Sequence, residues 1–142
     1  MQKVFLLLIG MLIVSLLGCS HTLKLDTKDL NVNVEVEEVN FDKINGMGTG
    51  LLGSSFMLLS LGDRYKVLQA EYNALEYANA GKKVRWVSTK RGIFGEVSAG
   101  QFYQVGSQNC RQYSHSFTLN GISEVVYGSA CRNPDGSWMP LI

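Results

Sequence analysis

The chain has 142 residues, 18% of them charged and 46% hydrophobic, with 13 Lys and Arg against 12 Asp and Glu. That length suits one domain of ordinary size, and the near-neutral balance excludes a dedicated nucleic-acid binder or a disordered acidic tail. Three Cys and two His are too few for a structural zinc site of the usual ligand spacing.

Residues 1–18 read as a secretory signal. Lys3 supplies the positive start and Val4 to Leu17 is almost purely apolar, yet shorter than a comfortable membrane-spanning helix of ~20 residues. Leu16-Leu17-Gly18-Cys19 then resembles the lipobox of bacterial lipoproteins. Small Gly18 fits beside a scissile bond, Leu16 fills an apolar pocket, and only a thiol such as that of Cys19 can form a thioether. The resemblance implies cleavage before Cys19, acylation of Cys19 with palmitate-type chains, and a membrane partner reached through that anchor. Ser20 in place of Asp implies sorting to the outer membrane. Removing residues 1–18 takes away Lys3 alone and leaves 12 basic against 12 acidic residues.

Residues 19–44 form the lipidated N-terminus, a polar tether and a candidate strand. Val32, Val34 and Val36 alternate with Asn33, Glu35 and Glu37, and Val39 and Phe41 resume the alternation one residue out of phase. Residues 45–62 carry no charge and are rich in Gly and apolar side chains. As one helix at ~1.5 Å per residue they would span about 27 Å. Two readings stay open: a buried, packed segment, or one that dips into membrane or forms oligomers through small-residue spacing such as Gly46-x-x-x-Gly50.

The domain 45–142 continues with a helix over 63–81. Asp63 is its expected N-cap and Gly81 its C′ residue, and Tyr65, Leu68, Tyr72 and Leu75 form one apolar face. From 83 to 142 the pattern is strand and turn: Val84–Val87, Glu96–Val105, Cys110–Leu119, Ile122–Cys131 and Trp138–Ile142. The expected fold class is α+β, one helix on a small antiparallel sheet of about five strands.

Asn120-Gly121 between Leu119 and Ile122 is a strong signal for a two-residue hairpin turn. Folded there, residues whose numbers sum to 241 face one another, and 110 plus 131 is 241. Alternation of pair types outward from the turn makes Cys110 and Cys131 a non-hydrogen-bonded pair with Cα atoms ~4.5 Å apart, within reach of a disulfide. Export places them in an oxidising compartment, and Cys19 is already committed to lipid. The same register puts Tyr113, His115, Phe117, Leu119, Ile122, Val126 and Ala130 on the core side and the bridge on the more polar side.

Cys110-Arg111-Gln112-Tyr113 and Tyr127-Gly128-Ser129-Ala130-Cys131-Arg132-Asn133-Pro134-Asp135-Gly136-Ser137-Trp138 resemble the C-terminal signature of the 17 kDa outer-membrane surface antigen lipoproteins. Val84-Arg85-Trp86 and the helix before it are similar to the region preceding that signature. Such proteins typically carry a longer glycine zipper than 45–62. The resemblance implies a lipid-anchored envelope protein and transfers no catalytic residue and no cofactor.

Motifs for metallohydrolases, serine hydrolases, nucleotide binding and dinucleotide binding are missing from the sequence. His115 reads as a hydrogen-bonded core histidine, and Glu96 and Glu124 as isolated carboxylates. Lys82, Lys83, Arg85, Lys90 and Arg91 form a basic cluster read as a solvated edge. The expectation is a non-enzymatic outer-membrane lipoprotein without metal or cofactor, with a structural or protein-binding role and an unidentified envelope partner. The alternatives are an inhibitor of a periplasmic or host hydrolase, with Ser88–Gly95 as its inserting loop, and an accessory subunit of a secretion or pilus machine.

Overall fold

A computed structural model describes residues 41–141. The expected signal segment 1–18, Cys19, the expected tether and the strand expected at Val32 to Val39 lie outside the described residues. Phe41, expected to extend that strand, instead opens a short helix, α1 (Phe41–Asn45). A 3-10 segment (Gly50–Leu58) follows, then the main helix α2 (Leu61–Glu76). Five strands complete the chain: β1 (Lys83–Val87), β2 (Phe94–Val105), β3 (Gln108–Leu119), β4 (Ile122–Arg132) and β5 (Trp138–Leu141). They form one antiparallel sheet in sequence order, each strand bonded to its neighbour. This is the expected α+β architecture.

Segment 45–62 is not one continuous helix. Positive φ at Gly48, Gly50 and Gly53 breaks it into short turns, and Leu52, Phe56 and Leu59 are buried in the core. No helix among the described residues is long and apolar enough to cross a membrane. Gly50 has a second role, because a Cβ there would lie 2.3 Å from the Glu71 carboxylate. Its absence lets the backbone reach that buried acid.

The ends of α2 differ from the sequence expectation. The N-cap is Ser60, three residues before Asp63: its Oγ accepts from the Asp63 N–H at 3.2 Å and donates to Asp63 Oδ2 at 2.6 Å. Asp63 is therefore the third helical residue of a reciprocal capping arrangement. At the other end the helix stops at Glu76 rather than running to Ala80. Gly81 does not cap it; its N–H donates to the Ala99 carbonyl at 2.9 Å and guides the chain into the sheet.

The β3–β4 register is the one derived from the turn. Cys110 pairs with Cys131, Leu119 with Ile122, and all partners between them follow the same sum. Asn120 and Gly121 both have positive φ, 51° and 80°, as a type I′ turn requires. Cys110 and Cys131 are bridged, with Cα atoms 4.0 Å apart. Gly100 marks the expected interruption of β2, where the register with β3 shifts between Ala99 and Phe102.

Helix α2 and the 3-10 segment cover one face of the sheet. Val84, Trp86, Val97, Ala99, Tyr113 and Phe117 point into the core against Val67, Leu68 and Leu75. Ile122, assigned to this core from the register alone, is 65% exposed. It faces the helix side at the hairpin tip, where the cover runs out.

Candidate functional site

The core face holds polar side chains whose partners come from within the fold. Glu71 and His115 are fully buried. Trp86 Nε1–H lies 2.7 Å from His115 Nε2 and can only donate, so that nitrogen accepts. His115 Nδ1–H is thereby left to donate to Glu71 Oε1, also at 2.7 Å. The Leu51 N–H donates to the same carboxylate at 3.0 and 3.3 Å. One chain of hydrogen bonds thus ties β1, β3, α2 and the 3-10 segment together. His115 is the hydrogen-bonded core histidine that the sequence indicates.

Arg111 is the second buried group, 1% exposed and pointing from β3 at the end of α2. One terminal nitrogen donates to the carbonyls of Ala74, Leu75 and Ala78 at 2.8–3.0 Å. Its Nε donates to the Gly100 carbonyl at 2.8 Å, and the guanidinium lies 4.5 Å from the centre of the Phe102 ring. Last-turn carbonyls have no partners inside a helix, and a cation there also opposes the negative end of the helix dipole. Arg111 therefore closes the helix end that the sequence assigns to Gly81. Burial pulls its pKa below the usual arginine value.

Glu76 organises the third cluster. Arg132 donates to both carboxylate oxygens at 2.8 and 2.9 Å, and Trp138 Nε1–H donates at 2.8 Å. Burial pushes the Glu76 pKa up, but the bonds from Arg132 and Trp138 outweigh it and hold the carboxyl below its ordinary range. The turn between β4 and β5 closes through Asn133 N–H to the Ser137 carbonyl and Ser137 N–H to Asp135 Oδ1, both at 2.8 Å. Tyr72 Oη donates to the Gly136 carbonyl at 3.0 Å. Burial, then the Glu76 charge, raise its pKa to about 12.

These clusters account for most of the sequence signature. Cys110 and Cys131 form the bridge, Arg111 caps the helix, and Ala130 is the fully buried residue paired with Arg111 across the ladder. Arg132 and Trp138 bind Glu76, and Asn133 to Ser137 make the turn. The sequence reading does not single out Glu71, although its place between Leu68 and Tyr72 sets a carboxylate within the apolar face of Tyr65, Leu68, Tyr72 and Leu75. The targets of Arg111 left no such trace, because carbonyls carry no sequence information.

The opposite face of the sheet is uncovered among the described residues. Its middle is a neutral floor of Ser98, Gln112, Ser114 and Ser116, with depressions of about 460 and 650 Å3 along it. Apolar and aromatic side chains stand around the floor: Val87, Phe94, Val125, Tyr127 and Leu141 are 49–79% exposed. Charge is confined to one corner, where Glu96 pairs with Lys83 and, at 3.4 Å, with Arg85. Glu96 is thus not isolated, and the Lys83 hydrogen bond leads the effects that lower its pKa. Nothing among the described residues gathers three or more His, Cys, Asp or Glu side chains into a metal-binding group.

The expected inserting loop is a tight connection. Ser88 N–H donates to the Ile93 carbonyl at 3.0 Å, and Ser88 Oγ donates to Asp63 Oδ2 at 2.8 Å, tying the turn to α2. Among the predicted site residues, Cys110 and Cys131 come together as a bridge, whereas Cys19 lies outside the described residues.

Comparison with known proteins gives one family and a group of relatives. Residues 73–139 match the family model described as 17 kDa outer membrane surface antigen. The chain is 35% identical over 77 residues to the 17 kDa surface antigens of Rickettsia bellii and Rickettsia conorii, covering 54% of this chain and 48% of each relative. For that of Rickettsia prowazekii the identity is 34% over the same length. The match spans about half the length of these relatives. No solved structure matches the chain.

Proposed function

From the premise that residues 73–139 belong to the 17 kDa outer membrane surface antigen family, we propose that this protein is a non-enzymatic lipoprotein of the bacterial outer membrane. Cys19 carries the lipid anchor, and the uncovered sheet face receives an envelope protein. Three lines support the reading: the Leu16-Leu17-Gly18-Cys19 lipobox, the surface antigens to which the chain is similar, and the division of labour across the sheet. The last carries most weight. His115 and Glu71 are sealed from solvent and committed to structural hydrogen bonds, so a substrate has no access to them. The open face exposes aromatic and aliphatic side chains around a neutral polar floor, a composition suited to protein contact.

Two measurements test the reading. Cys19→Ala should abolish palmitate labelling and leave the precursor uncleaved; normal labelling and maturation would refute the anchor. Cross-linking in intact envelopes should capture a partner that is lost with Val125→Glu and Tyr127→Glu, while the fold persists. A partner retained by both variants would remove the open face from the proposal. Capture of one soluble hydrolase would favour an inhibitor, and capture of a multi-subunit assembly would favour an accessory subunit.

A further inference from the structure

Where the 3-10 segment meets α2 the chain turns a corner, and Met57, Leu58 and Leu61 stand out from it, 62%, 69% and 80% exposed. We propose that this corner docks on an anionic phospholipid surface. The exposure is imposed by a fixed backbone. Ser60 caps the helix, while Arg64 donates through Nε to the Leu59 carbonyl at 3.1 Å and through a terminal nitrogen to the Met57 carbonyl at 2.9 Å. The Arg64 guanidinium also lies 5.6 Å from the centre of the Phe56 ring. Leu52, Phe56 and Leu59 of the same stretch are buried, so the segment divides its apolar side chains between the core and this projection.

Cations stand beside the projection, at the start of the helix. Arg64 lies within it, and Lys66 reaches across to the Val87 carbonyl at 3.0 Å. The β1–β2 turn adds Lys90 and Arg91, brought to the helix start by the bond from Ser88 to Asp63. Asp63, the acid at the start of the helix, is buried and bound by Ser60 and Ser88; its other oxygen lies 4.0 Å from Lys66 Nζ, so it offsets part of the Lys66 charge and leaves the cluster with a cationic excess. Exposed apolar side chains with cations beside them suit insertion between lipid headgroups next to anionic phosphates.

The course of the chain points to the same surface. Phe41 stacks on Tyr65, one helical turn after Leu61, with ring centres 6.0 Å apart. The chain arriving from Cys19 therefore joins the domain beside the projecting corner. The 21 residues between Cys19 and Phe41 would reach ~75 Å if extended, a span over which an anchor by itself does not set which side of the domain faces the membrane. The corner would fix one orientation against the membrane. This inference rests on the proposed anchor only for which membrane is near at hand.

The test uses the chain from residue 20 onward, which bears no acyl chain and keeps every described residue. Co-sedimentation is measured with vesicles of phosphatidylglycerol and phosphatidylethanolamine, and with phosphatidylcholine vesicles. Binding should favour the anionic vesicles and weaken with salt. It should fall about tenfold or more with Leu58→Ser plus Leu61→Ser, and also with Lys90→Glu plus Arg91→Glu. Near-ultraviolet circular dichroism checks that each variant is folded. Absence of binding, equal binding to neutral vesicles, or binding unchanged in the folded variants would overturn the proposal. So would a dimer dispersed by the leucine substitutions while vesicle binding persists, which would assign the corner to a second copy. Palmitate labelling of Cys19 is read separately, so the anchor and the docking corner can fail independently.

Discussion

The two faces of the five-stranded sheet use their residues in opposite ways. On the helix side Trp86, Arg111 and His115 each spend their polar groups on other parts of the chain: an indole on a histidine, a guanidinium on helix carbonyls, an imidazole on a buried carboxylate. On the other side Ser114 and Ser116 alternate with Arg111 and His115 along β3, and with Val125 and Tyr127 of β4 they face solvent. Adjacent residues of one strand thus serve two purposes through the two-residue period of β structure. A sequence signature concentrated on the first set marks how the domain is held together. Substitutions in the second set should leave the fold standing.

The largest separation between the faces should come at Arg111. Arg111→Leu leaves the carbonyls of Ala74, Leu75, Ala78 and Gly100 without this donor and should cost about 3–5 kcal/mol in urea denaturation. A loss below about 1 kcal/mol would show that water replaces the cap and that the core face is less committed than it looks. Next is the bridge. Cys131→Ser should cost ~2–4 kcal/mol, and mass analysis of the non-reduced protein should show one intramolecular disulfide between Cys110 and Cys131. Gly95→Ala comes third, at about 1–3 kcal/mol. Its Cβ would lie 2.7 Å from both the Ser116 carbonyl oxygen and Trp86 Nε1, and the backbone oxygen cannot swing away. Tryptophan fluorescence should report the displaced Trp86.

Acid should act on the helix side too. Glu76 and Asp63 have folded-state pKa values below their ordinary 4.5 and 3.8. Their contribution is complete above those values and is lost as pH falls through the lower folded values. The urea midpoint should decline on acidification below about pH 4.5, and Glu76→Gln should flatten the Glu76 part of that decline. The smallest effect belongs to the open face: Tyr127→Ser should stay within about 0.5 kcal/mol of the parent. A larger loss would mean that this face supports the fold as well.

The parts of this fold read from the sequence were those governed by local rules. Asn120-Gly121 specified the hairpin, its register paired Cys110 with Cys131, and alternation placed Tyr113, His115 and Phe117 in the core. Ile122 shows the limit, since alternation assigns a face without saying how far the helix extends over it. Helix ends were misplaced for a related reason. Ser60 and Asp63 are both competent caps by residue type, and the choice depends on the buried contact of Asp63 with Ser88 on a distant turn. The cap from Arg111 joins residues more than thirty positions apart through carbonyls, which every residue has. Glu96 seemed isolated because Lys83 and Arg85 become its neighbours only when β1 and β2 pair.

The meander order of the strands bears on how the disulfide forms. The two bridging cysteines belong to one hairpin, and the turn alone brings them face to face. A β-hairpin forms within microseconds, whereas disulfide chemistry takes seconds or longer. The correct thiols can therefore meet many times before oxidation, even before α2 docks. Acylation of Cys19, as proposed, would leave no third thiol to compete for either of them. Oxidative maturation should then proceed without a reshuffling step, and a catalyst that only supplies oxidising equivalents would suffice.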